Sequence, residues 1–241
     1  MTTENTMTVG GLRVFVVRKD IQNLHLGVYP PDGWVRVAVP NAISDKAVRA
    51  AVAGKLGWIR RRQVRFRDQA RDSARQLVSG ETHWFDGRRY LLKVVESPGR
   101  SRITLRGGDK MELRCPPGST VEQRAAVLDR WYRARLRDVV PELIATWSER
   151  TGVAAPPWRA RRMKTKWGSW SPGSGLVWLN LELAKKPRRA LEYVVVHELL
   201  HAIDRRHGRD FMSLLDHFLP HWRLARAELT DLPLAHYPWP D

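Results

Sequence analysis

Apolar and polar positions alternate along much of the first 120 residues. Leu12 to Arg18 and Leu24 to Tyr29 each read as a strand, Pro30-Pro31-Asp32-Gly33 supplies turn chemistry, and Trp34 to Val39 returns; together they predict a β-meander. Residues 1–10, rich in Thr and without a core pattern, are expected to form a disordered tail. At Ser44, an N-cap residue, the period changes. Ala47, Val48, Ala51, Val52, Leu56, Trp58 and Ile59 make the inner stripe of one helix predicted from Asp45 through Arg65, followed by the arginine run that starts at Arg60. Short strands return at Tyr90–Glu96, Arg102–Arg106 and Met111–Arg114, with hairpin turns at Pro98-Gly99 and Gly107-Gly108-Asp109.

Pro116-Pro117-Gly118 marks a change of composition and a domain boundary. The expected organisation is a tail over 1–10, a β-rich lobe with one basic helix over 11–118, and a second domain over 119–241. Thr120 caps a helix predicted from Val121 to about Arg150, which Pro141 should kink or split. Alternation from Arg159 to Lys166 predicts a strand, Gly168-Ser169 a bend that presents backbone N–H groups as an anion nest, and Leu176 to Leu183 another strand. Two short helices follow Phe211, then a proline-punctuated tail from Pro233. No internal repeat is visible in the residues.

The most apolar helical stretch, Arg189 to Phe211, carries His197-Glu198-Leu199-Leu200-His201. On a helical period the two histidines stand one turn apart on one face, with Glu198 beside them. Neutral imidazoles bind Zn²⁺ at about 2.0 to 2.1 Å, and a catalytic site needs three protein ligands with one position left for water. The metal lowers the pKa of that water, so Glu198 could act as general base. The third ligand is open among three residues. His207 lies six residues on, before a Gly208 expected to end the helix in a left-handed turn; Asp204 and Glu228 are carboxylate rivals. Zinc's taste for nitrogen favours His207, leaving Asp204 as an acceptor that orients an imidazole N–H.

Several runs then have a familiar wording. Trp167-Gly168-Ser169-Trp170-Ser171, Val177 to Leu183, Pro187, Leu191 to His201 and His207-Gly208-Arg209-Asp210-Phe211 resemble the YgjP-like metal-dependent hydrolases, small zincin-like proteins related to the SprT and WLM peptidases. The resemblance implies a zinc site of His197, His201 and His207 with Glu198 as base. It also implies an α+β fold: a β-rich N-terminal lobe, then a minimal zincin-like domain with its HExxH helix packed on a small mixed sheet. By the same resemblance the strand from Leu176 is the sheet edge beside the active site. Two positions depart from the family pattern. Trp170 stands where the family usually has Cys, and Arg206-His207-Gly208 where it usually has Asn-His-Ser.

Composition narrows the setting. The chain has 241 residues, a formal net charge of +17 and one cysteine, Cys115, so an intramolecular disulfide is impossible and a reducing compartment is expected. There is no long apolar run and no signal-peptide core at the start, so the expectation is a soluble, cytoplasmic protein with no membrane partner. The positive field attracts polyanions, and Arg150 to Leu181 holds no acidic residue between its ends.

Three functions are weighed. The first is a zinc metallopeptidase with a peptide or protein substrate, in which Lys166, Trp167, Gly168, Ser169 and Asn180 are candidate substrate contacts and Trp167 and Trp170 wall the cleft. The second is a nucleoside triphosphate pyrophosphatase of the UTP type on the same metal, an activity associated with the YgjP resemblance, with Arg161, Arg162, Lys164 and Lys166 gripping phosphates. The third is a nucleic-acid-binding module, or a DNA-associated protease, localised by its charge.

Overall fold

The computed structural model describes residues 3–29, 33–68, 75–163 and 166–231. The turn expected at Pro30–Asp32, Lys164 and the tail from Pro233 lie outside them. The chain divides into two compact units, residues 1–70 and 71–241.

In the first unit, strands β1 (Thr3–Val9), β2 (Leu12–Lys19), β3 (His25–Tyr29) and β4 (Trp34–Pro40) precede helices α1 (Asp45–Ala53) and α2 (Leu56–Asp68). The expected tail is a strand because Met7 and Val9 alternate with polar residues and are buried. Gly10 and Gly11, both at positive φ, make the two-residue turn that pairs β1 with β2. The sheet order is β1-β2-β4-β3, with β2 and β4 parallel, so the three later strands do not form the expected meander. Alternation fixes which residues face inward but not which strand lies alongside. The single helix expected from Asp45 is broken between Ala53 and Leu56. Ser44 caps α1 through its side chain, which accepts from the Ala47 N–H. Val48, Val52 and Ile59 close a core with Val14, Val16, Val28, Val35, Val37 and Val39.

The second unit opens with strands β5 (Thr82–Phe85), β6 (Arg88–Glu96), β7 (Arg102–Arg106) and β8 (Lys110–Cys115) in the order β5-β6-β8-β7, again with a parallel central pair. This sheet shares one core with helix α3 (Val121–Thr151), so the chain does not divide at Pro116–Gly118 as expected. Those residues simply turn into α3, whose first turn is closed by a capping box of Thr120 and Gln123. Pro141 lies inside α3 without splitting it. The four-strand-then-helix order therefore occurs twice, a repeat of topology that the residues did not reveal.

A three-stranded mixed sheet follows: β9 (Trp158–Arg161), β10 (Gly168–Ser171) and β11 (Leu176–Asn180), in the order β10-β11-β9. Two expectations change here. Gly168 and Ser169 lie in a strand rather than a bend, and β11 is central, so β10 is an edge. Beneath the sheet runs α4 (Arg188–Leu200), followed by α5 (Arg209–Phe218) and α6 (Trp222–Asp231). An α+β fold with its apolar helix on a small mixed sheet is thus present. Trp147 of α3 donates to Glu192 at 2.9 Å and fixes α4 against α3. Among the described residues no helix is long and apolar enough to cross a membrane.

Candidate metal centre

Helix α4 is almost wholly buried from Ala190 to Leu200, because a helix apolar on every side finds cover only inside a core. His197 and Glu198 sit in its last turn, and His201 is its C-cap. The helix ends there rather than at Gly208, which instead has extended φ and ψ and caps the start of α5. The six-residue connection turns the chain back. As a result the ring nitrogens of His197, His201 and His207 lie within 4.8 Å of one another.

Phe211 makes this cluster possible. Fully buried on α5, its ring centroid stands 5.0, 4.8 and 4.9 Å from those of His197, His201 and His207. Nothing in the local spacing of Phe211 signals that it backs all three imidazoles. The Asp204 backbone carbonyl accepts from His201 Nδ1 at 3.1 Å, since a carbonyl can only accept; the lone pair of His201 is then on Nε2. The contact with the His201 ring is thus made by the Asp204 backbone and not by the side chain expected to orient it. Its carboxylate accepts from the Arg206 N–H. Glu228 pairs with Arg189.

The chemistry of the donors suits a metal ion. Burial, and then the neighbouring imidazoles, hold His197 down to about 3 and lower His207 as well, so these rings are neutral at pH 7, the state that binds metal. His197 Nε2 and His207 Nε2 face each other at 2.9 Å. An ion bound at about 2.0 to 2.1 Å from each nitrogen would need these two atoms to stand somewhat further apart, at about 3.4 Å. His197 Nδ1 is buried without a hydrogen-bond partner, so this ring lacks the acceptor that commonly fixes a ligand. Arg226 of α6, absent from the sequence reading, adds positive charge that lowers both His197 and His207.

Glu198 is 5 % exposed, and its burial pushes the carboxyl up to about 7, against a hydrogen bond from the Trp170 backbone and the charge of Lys166, which pull it down. Gly168 lies directly over it. A Cβ there would fall 2.6 Å from Glu198 Oε1 and 2.9 Å from Cδ. The glycine is required by this close approach and not by an anion nest, because its face is filled by the carboxylate.

The other expected substrate contacts separate. Lys166 is exposed. Trp167 and Trp170 are half-buried against the core, and Lys186 Nζ lies 5.2 Å from the Trp167 ring. Ser169 pairs with Trp178 on the sheet face opposite Gly168, hence away from Glu198. Asn180 corrects its expectation most clearly: its amide accepts from Glu182 N and Met163 N and donates to Met163 O and Lys166 O. With four bonds made, it has no capacity for a substrate and instead ties down the approach to β10. Arg162 binds Asp129 and Glu182, so it belongs to an internal ion-pair network rather than to a phosphate. Arg161 lies over the Trp178 ring at 4.3 Å.

A family described as "YgjP-like, metallopeptidase domain" matches residues 23–232. The chain belongs to this family. The match reaches into both compact units. Among solved structures, the crystal structure of the metallopeptidase zymogen of Pyrococcus abyssi abylysin is similar, at 19 % identity and a TM-score of 0.36, over 38 % of this chain and 91 % of that one. No curated protein matches.

Proposed function

We propose that this YgjP-like protein is a zinc-dependent peptidase, with His197, His201 and His207 as metal ligands and Glu198 as general base. What carries the reading is the pairing of three clustered imidazoles with a buried carboxylate pressed against the edge strand β10. Zinc, when bound, would polarise the scissile carbonyl and make water more acidic. Glu198 takes a proton from the attacking water as the new C–O bond forms, then passes it to the amine as the C–N bond breaks. A carboxyl held near neutrality is suited to both transfers. The free edge of β10 receives the peptide backbone as an added strand, and Lys166 lies at the entrance to that edge. With Arg162 committed to Asp129 and Glu182, phosphate binding has less support.

The test is metal analysis together with hydrolysis of an unstructured protein. About one zinc per chain is expected, lost in His207→Ala. Glu198→Gln should keep the zinc and lose about 10²- to 10⁴-fold in rate. Release of pyrophosphate from UTP, with no peptide cleavage, would overturn the reading.

A further inference from the structure

The first sheet has a face that its own core does not explain. Val14 and Val16 of β2, Val28 of β3, and Val35 and Val37 of β4 turn inward. By alternation Arg13, Phe15, Trp34, Arg36 and Tyr29 share the opposite face. Phe15 pairs with Arg36 across β2 and β4, and Tyr29 with Trp34 across β3 and β4. The rings form one cluster: Trp34 stacks on Tyr29 at 4.8 Å and meets Phe15 edge-on at 5.4 Å. Tyr29 lies across Gly27, where a Cβ would come within 2.5 Å of its ring. Phe15 remains 38 % exposed, with Arg36 beside it and Arg13 two residues away on the same strand. At the far end of the face Val17 is buried, while Tyr29, Trp34 and Arg36 are partly exposed.

The second four-stranded sheet serves as an internal control. Leu91 stands where Phe15 does, fourth in the strand after a two-residue turn, and it too pairs with a cation, Lys110. Its neighbours on that face are Arg89, Lys93, Glu112 and one aromatic residue, Trp84, which pairs with Arg89 and lies under its guanidinium at 6.0 Å. The same topology is thus built with a single ring there and with Leu91 in the place of Phe15, so the fold does not demand the three-ring cluster. Residues 1–70 also contain twelve Lys and Arg against five Asp and Glu.

We infer that this face of the first unit binds single-stranded nucleic acid, a base stacking on Phe15 and its flanking phosphates meeting Arg13 and Arg36. Aromatic rings on an open sheet take up unstacked bases, while guanidinium groups a few ångströms to either side neutralise the backbone. A duplex hides its bases and offers only charge. The surface belongs to the first unit and the candidate metal ligands to the second, so its failure would leave the peptidase reading untouched.

Fluorescence anisotropy of the full-length protein with a labelled twelve-nucleotide single strand, and with its duplex, tests this across a salt series. The single strand should bind tighter. Phe15→Leu, which keeps an apolar side chain but removes the ring, should raise Kd about tenfold. Arg13→Ala with Arg36→Ala should flatten the slope of log Kd against log salt by about 1.4. Leu91→Ala should change neither, and peptide hydrolysis by Phe15→Leu should match the wild type. Equal affinity for duplex and single strand, or wild-type binding by Phe15→Leu, would overturn the inference. So would tighter binding to acidic peptide or to anionic vesicles than to the oligonucleotide.

Discussion

Sheets β1-β2-β4-β3 and β5-β6-β8-β7 share a strand order, a parallel central pair and a following helix capped by Ser or Thr, yet their cores grow to different extents. The first closes on two short helices and ends there. The second feeds a core that continues through α3 into α4 and α5, and that continuation holds a carboxylate and three imidazoles in place. A larger apolar interior can tolerate buried polar groups provided each has a partner. Asn180 and Glu198 have such partners. In the smaller unit the polar and aromatic groups stay near the surface.

The comparison can be broken first at Asn180. Replacing it with Ala leaves two buried carbonyls and two N–H groups without their partner, and stability should fall by about 3 kcal/mol, read from the urea midpoint. An unchanged midpoint would mean that the approach to β10 is held by something else.

Next is the pH dependence of metal-stripped protein. Burial pushes the Glu198 carboxyl up to about 7 in the folded chain, from the ordinary carboxylate value of 4.5 that it has when unfolded. Below pH 4.5 it is protonated in both states and has no effect. As pH rises from 4.5 to 7 the unfolded chain gives up its proton first, so stability falls, by on the order of 3 kcal/mol at most, and then levels off. His197, held down to about 3, has the other sign: its contribution is lost as pH falls from 6.5 towards 3. Because the two windows overlap, the quantity to measure is the difference between wild type and Glu198→Gln. The variant should gain on the wild type from pH 4.5 to 7 and show no further gain above it.

Gly168→Ala should cost about 1 to 3 kcal/mol and reduce hydrolysis, because the new methyl group meets a Glu198 carboxylate that is buried and hydrogen-bonded to the Trp170 backbone. Retention of both Tm and rate would show that β10 can lift away freely. The smallest effect belongs to the first unit. Ser44→Ala removes the cap of α1 and should lower stability by about 1 kcal/mol, with peptide hydrolysis unchanged.

Much of the metal centre was legible because its spacing is local. His197 and His201 are brought together by one helical turn, whatever the rest of the chain does. His207 was the favoured third donor, since a glycine beside it signalled a bend, although that bend lies N-terminal to α5 rather than at the end of α4. Gly168 and Asn180 were expected to contact substrate, and the structure gives each a different role. One makes room for Glu198 and the other binds four backbone groups, and both depend chiefly on distant residues: Glu198 is 30 positions from Gly168, and three of the four Asn180 bonds reach 14 or more positions away.

The strands were mostly visible too, with their inward residues, because alternation is carried by each strand separately. Their neighbours were not. The edge position of β10, the strand of Thr3–Val9 and the twofold use of one sheet order all depend on long-range pairing. By itself, then, the sequence determined the chemistry of the donors, the helix that presents two of them and the excess of positive charge. Tertiary structure alone decided that Phe211 backs all three imidazoles, that Glu198 is pressed beneath an edge strand, and that three rings share one open face. Covalent spacing dictates the first set, whereas the second exists only once distant segments are packed against one another and water is excluded between them.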